Sequence, residues 1–169
     1  MNAQSIIEVF NNLFSETHDT ILVGGASEPL YRALPRAEIQ FRQDYVSSAL
    51  HEVAHWCIAG HRRRHKNDFG YWYLAERSLS EQREFEDLES KPQALEWIFS
   101  VAAGVPFRVS VDNFEVDNRQ YLQKKVWQRT AARLKSGLPA RAQIFAKGLS
   151  RASGITDYLN CDYYKDFPL

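Results

Sequence analysis

Ile6, Ile7, Phe10, Leu13 and Phe14 recur at helical spacing between Gln4 and Phe14, with Asn2 or Ser5 placed to cap the start. The first element is therefore predicted to be an amphipathic helix. At Thr20 the pattern changes to a β-branched run, Thr-Ile-Leu-Val, which stops at Gly24-Gly25, and Glu38-Ile-Gln-Phe-Arg42 alternates polar with apolar. Both predict short strands, joined by an irregular loop that carries Pro29 and Pro35. From Asp44 or Ser47 to about Ala59, the positions Val46, Leu50, Val53, Ala54, Cys57 and Ile58 predict a second helix, and Gly60 is expected to end it in a left-handed conformation.

Arg62 to Leu79 mixes charge with aromatics and has no period. Phe69, Tyr71, Trp72 and Tyr73 argue for a long ordered loop rather than a linker. A third helix is expected from Glu81 to Ala103, with Pro92 marking a kink or the first turn of a separate helix. Phe107 to Val111 reads as a strand, and helices are expected at Arg119 to Lys135 and Ala140 to Ala152, with Gly137 and Pro139 between them. The tail to Leu169 has no predicted element. The fold class is thus α+β: a single compact, mainly helical domain over residues 1–169, with a few short strands and a zincin-like His-Glu-x-x-His helix.

Composition narrows the partners. Lys+Arg 21 against Asp+Glu 21 gives zero formal charge, so neither nucleic acid nor an anionic membrane is an expected partner. Two cysteines, Cys57 and Cys161, make neither a disulfide framework nor a thiolate metal site, and suit a reducing compartment. Met1 to Glu8 lacks the basic-then-apolar pattern of an export signal, and no apolar stretch has spanning length, so a cytoplasmic location is expected.

The chemistry concentrates in Ala49-Leu-His-Glu-Val-Ala-His-Trp56. On a helix His51 and His55 share a face one turn apart, and two neutral imidazoles at that spacing converge on one divalent ion. Glu52 lies one step round the helix, from which its carboxylate reaches a metal-bound water rather than the metal, the general-base position of zinc hydrolases with this motif. The plain alternative is a pair of core histidines bonded to carboxylates. A third protein ligand is needed, and His61, Glu76, Glu86, Glu89 and Glu96 are the candidates. His61 follows His51 by ten residues, as in metzincins, but Ile58 stands where those need a glycine, so His61 reads as a solvated loop residue. Glu89 and Glu96 share a helix face among Phe85, Leu95 and Trp97, and Glu89 is favoured; Glu86 reads as a surface residue, a fate also open to Glu96. Tyr71 and Tyr73 are candidates for a substrate groove that rests an ammonium on an aromatic face, with core packing as the alternative. The run Arg62-Arg63-Arg64-His65-Lys66 reads first as a solvated loop, and second as steering for an acidic partner.

Ala49-Leu-His-Glu-Val-Ala-His-Trp-Cys-Ile-Ala-Gly60, Phe69-Gly-Tyr-Trp-Tyr73, Glu89-Ser-Lys-Pro-Gln-Ala-Leu-Glu-Trp97, Ala103-Gly-Val-Pro-Phe107 and Ser110-Val-Asp-Asn-Phe114 together resemble the bacterial elongation factor P hydroxylase family. The resemblance runs in blocks from Gly24 to Phe114 and more loosely beyond. It implies a cytosolic, metal-dependent monooxygenase acting on elongation factor P once its lysine carries a β-lysyl group. It further implies a metal site of His51, His55 and Glu89 with Glu52 beside it. Ferrous iron is implied mainly by the family, with zinc able to compete for the same ligands. The rival readings are a zincin-type metallopeptidase, resting on the five-residue motif alone, and a non-catalytic metal-stabilised binding module.

Overall fold

The computed structural model describes residues 1–70, 78–110 and 119–165. Helix α1 (Ala3–Phe14) begins where the Asn2 side chain accepts a hydrogen bond from the Ser5 amide, and it buries Ala3, Ile6, Phe10 and Phe14 along one stripe. Strands β1 (Thr20–Ala26), β2 (Leu30–Arg32) and β3 (Ala37–Arg42) form a sheet in the order β1-β3-β2, with β1 parallel and β2 antiparallel to β3. In this register Leu22 lies opposite Ile39 and Tyr31 opposite Ile39 on the other side, all three buried.

Only two of these strands are foreseen by the alternation of residues. Strand β2 is three residues long, and its outer edge is tied down from elsewhere. The Tyr31 amide donates to Asp68 Oδ1 (2.9 Å) and the Ala33 amide to Asn67 Oδ1 (3.0 Å), so side chains of the Asn67–Gly70 3-10 turn stand in for a neighbouring strand.

Helix α2 (Val46–Ile58) lies at the centre, packed on β3 and against three of the helices that follow or precede it. Its Leu50, Val53, Ala54 and Trp56 have no solvent exposure, and the Trp56 ring meets Phe10 and Phe14 edge-on. The expected left-handed stop at Gly60 is not used. Ala59 and Gly60 are both extended, and the chain turns straight into the four-residue helix α3 (His61–Arg64), inside the stretch expected to be a loop.

Helix α4 (Leu79–Ala103) is one helix through Pro92, neither two helices nor a boundary. The carbonyl that a proline at position 92 deprives of its partner belongs to Leu88, a residue 45% exposed, where water can serve instead. A capping box between Ser78 and Glu81 starts the helix, and left-handed Gly104 ends it. Helices α5 (Arg119–Ser136) and α6 (Ala140–Ser153) close the core, and a 3-10 turn (Cys161–Tyr164) in the otherwise unassigned tail sets Tyr164 edge-on against Trp97. The expected strand at Phe107 is absent: residues 107–110 are irregular, and Val111 lies outside the described residues. Among those residues no helix is long and apolar enough to cross a membrane.

Helices α1 and α6 approach closely at Gly148, where an added Cβ would lie 2.7 Å from Leu13 Cδ1 and 3.0 Å from Val9 Cγ1. Gly148→Val should therefore lower stability by roughly 1–3 kcal/mol through overpacking. A urea midpoint that fails to fall would show that the helices separate freely there.

Candidate metal centre

Helix α2 turns its apolar residues toward the core and leaves His51, Glu52 and His55 half-buried along the floor of a cleft of about 1160 Å³. Helix α4 packs against α2 and brings Glu89 to the same floor. Three atoms converge there. His51 Nε2 and His55 Nε2 are 3.0 Å apart, and Glu89 Oε2 is 3.4 Å from the first and 3.5 Å from the second. Ligand atoms about 2.1 Å from one ion sit roughly 3.0 to 3.4 Å apart in octahedral or tetrahedral arrangements, so this triangle fits a divalent metal.

The expectation of a zincin-like site carried by the His-Glu-x-x-His helix is overturned by this arrangement. The ligand set is a facial triad drawn from two helices, His51 and His55 of α2 with Glu89 of α4, rather than the property of one zincin-type helix. Local sequence carries the histidine spacing, but the carboxylate arrives only through the packing of α4 on α2.

His51 Nδ1, the nitrogen turned away from the triangle, lies 2.8 Å from Glu96 Oε2. A carboxylate on that atom fixes the imidazole as the tautomer whose Nε2 lone pair faces the metal position. Burial alone would favour a neutral His51, but the hydrogen bonds to Glu89 and Glu96 outweigh it and hold the imidazole well above its usual range. Burial likewise opposes an ionised Glu89, yet the charges of His55 and His51 keep its carboxyl well below the usual carboxylate range. For Glu96 burial prevails and raises its carboxyl despite the His51 bond. A divalent cation at the triangle replaces the proton that otherwise holds these groups together. Glu96→Gln should weaken metal affinity about 10- to 100-fold by loosening that orientation, as measured by competition with a chromophoric chelator. Equal affinity in the variant would leave Glu96 no part in holding His51.

The other expected residues divide. Glu52 lines the cleft outside the triangle, and burial raises its carboxyl above the usual range. His61 is exposed and pairs with His65 at 3.3 Å, apart from the cluster. Glu86 is no surface residue: it is 2% exposed, accepts from Gln82 at 3.1 Å, and leaves Oε2 without a partner. Nor is the basic run simply solvated, because Arg63 donates to the Phe69 carbonyl and Arg64 to the Ala59 carbonyl. Tyr71, Tyr73 and Glu76 lie outside the described residues. The roles of two residues escaped sequence reasoning. Phe69, held with positive φ, stacks on Tyr31 and lies parallel to the His55 ring at 6.4 Å. Glu96 is the partner of His51, and its position two turns after Glu89 on one helix face was the available signal.

The profile of a family described as elongation factor P hydroxylase matches residues 9–163. The chain belongs to that family. It is also 41% identical over 164 residues to the elongation factor P lysine hydroxylase of Haemophilus influenzae, a match covering 93% of this chain and 92% of that protein. The two-histidine, one-carboxylate triad is of a kind that non-haem iron enzymes use, and it is consistent with that family.

Proposed function

We infer that the chain is the hydroxylase of elongation factor P, inserting one oxygen atom into the lysine side chain of that factor after a β-lysyl group has been added. As a member of its family it is a metal-dependent enzyme that modifies elongation factor P. The observation that carries the finer reading is the facial triad on the floor of an open cleft. His51, His55 and Glu89 would hold ferrous iron, with zinc as a competitor for the same ligands. Such an ion supplies binding of dioxygen and oxidation of a nearby C–H bond. The balance is that of a monooxygenase: one oxygen atom enters the C–H bond and the other leaves as water, with two electrons from a reductant and two protons.

The chain's own groups do the rest. Glu96 keeps the His51 ring in register, and Phe69 covers one side of the His55 ring. Glu52, which lines the cleft outside the triangle, would hold or move a proton beside the metal without binding it. We place the activity in the cytoplasm, where elongation factors work, and in one catalytic domain spanning the chain.

The test is to incubate the iron-reconstituted protein in air, with a reductant, with β-lysylated elongation factor P and to read the factor by mass spectrometry. A gain of one oxygen atom on the modified lysine is expected. No gain after reloading with ferrous iron, or cleavage of peptides by the zinc form, would overturn the reading.

A further inference from the structure

Helix α4 carries a polar seam where packing alone would ask for apolar residues. Gln82, Glu86, Glu89, Gln93, Glu96 and Ser100 follow one another at spacings of four and three, so they share one face, and all but Glu89 are at most 5% exposed. A buried polar side chain is costly unless it has a partner. Gln93 has two: it donates to the Ser110 carbonyl at 3.0 Å and accepts from the Ser110 amide at 3.2 Å. Glu96 has His51. Glu86 is only half provided for. It is 2% exposed, and Gln82 Nε2 donates to its Oε1 at 3.1 Å, but its buried Oε2 has no hydrogen-bond partner among the described residues.

Glu89, one turn further on, poses the same question from the side of the metal. Its hydrogen-bond and ion-pair partners among the described residues are the two imidazoles, and no group supports it from behind as Glu96 supports His51. Both carboxylates line one chamber of about 50 Å³ beside the large cleft, together with His51, Gln82 and Gln93. A water molecule needs about 10–15 Å³ of such space and at least two polar partners, so the chamber has room for water. Two acceptors call for an occupant with two donors, and water is the smallest that offers them. A cation is less well served, because Glu86 stands outside the set of ligand atoms that converge closely enough to hold an ion.

We propose that this chamber is a water site built into the protein and that Glu86 is a positioning residue for the metal. An ordered water donates one hydrogen to Glu86 Oε2 and the other to the Glu89 carboxylate, steadying that ligand from behind as Glu96 steadies His51. The polar seam of α4 then supports the ligands at two points, through a direct bond from Glu96 and through water from Glu86. The proposal rests on the triangle as a metal site and not on the reaction that follows.

The unmodified protein, loaded with zinc and crystallised to a resolution that shows ordered water, gives the first test. A water within hydrogen-bond distance of both Glu86 Oε2 and a Glu89 carboxylate oxygen is expected. A chamber without water, or a second zinc ion at Glu86 revealed by its anomalous signal, would overturn the proposal, and neither result needs a variant to fold. Zinc affinity gives the second test, measured well below the melting temperature by competition with a chromophoric chelator. Glu86→Leu, which puts an apolar group into the chamber, should weaken zinc binding roughly 10- to 100-fold. Glu86→Gln, whose amide oxygen still accepts from water, should stay close to the unmodified protein. Equal affinity in all three proteins, or an equal fall in both variants, would overturn the proposal. A triangle that takes up no zinc would overturn it together with the metal reading, and that failure is distinct because it appears in the unmodified protein before any variant is compared.

Discussion

Glu89→Ala is expected to abolish stoichiometric metal binding and to lower hydroxylation of elongation factor P by at least about 100-fold, since a direct ligand should cost more than the 10- to 100-fold typical of the groups that support ligands. The reason lies in the triangle. Glu89 Oε2 is the anionic corner, 3.4 and 3.5 Å from two imidazole nitrogens that are themselves 3.0 Å apart. Without it a divalent ion meets two neutral donors in a half-buried cleft, and the charge is left unmatched. His51→Ala and His55→Ala should fail in the same way, whereas His61→Ala should keep its metal, because that residue is exposed and apart. Elemental analysis of the four variants measures this directly. Melting temperature gives a second reading: a ligand present at a hundred times its Kd stabilises by about 2.7 kcal/mol, so added metal should raise the melting point of the unmodified protein and leave Glu89→Ala where it was. Full metal content in Glu89→Ala would remove it from the ligand set.

How much of this was legible in the sequence depended on how far apart the cooperating residues lie. Helix α2 and its histidine pair were legible because period, spacing and chemistry all fall within one helix of 13 residues. The pairing of α2 with Glu89 was foreseen through family resemblance and the shared face of Glu89 and Glu96, but the distinct role of Glu96 was not. Identical side chains on one helix face do not say which will reach the metal and which the back of His51; only the packing of α4 decides. Strand β2 was invisible because Leu-Tyr-Arg has no alternation to read, and its edge is satisfied by Asn67 and Asp68, more than 30 residues away. Pro92 misled in the other direction. A proline usually interrupts a helix, but here the helix on its C-terminal side is buried all round, from Gln93 to Ser100, and packing outweighs the one lost hydrogen bond. Glu86 was placed on the surface by type, whereas it is buried and accepts a hydrogen bond from Gln82.

Arg141→Ala should be the most destabilising change far from the metal, because of how α2 ends. With no left-handed glycine after Ile58, the last carbonyls of the helix have no Schellman-type partner. Arg141 reaches across from α6, and its Nη2 lies 2.9, 3.1 and 2.7 Å from the carbonyls of Trp56, Cys57 and Ala59. One Nη2 carries two hydrogens, so these three contacts are shared rather than additive. The guanidinium also sits 4.8 Å over the Trp56 ring, and Arg64 donates to the same Ala59 carbonyl, placing two positive groups at the negative end of the α2 dipole. Truncation strands buried carbonyls and removes the packing over Trp56. The expected loss is about 2–4 kcal/mol, equivalent to a fall in melting temperature of roughly 5–15 °C for a chain of this size. Arg141→Lys should recover only part of it, since an ammonium lacks the planar fork and the stacking surface. The effect should reach the site: the His55 carbonyl takes its hydrogen bond from Ala59, the residue Arg141 clamps, so a frayed last turn frees the His55 ring. Metal affinity measured well below the melting temperature should then fall in Arg141→Ala, while Gly148→Val, which loosens α6 against α1 instead, should leave it unchanged. Equal metal affinity in the two variants would mean that the clamp on α2 serves stability alone.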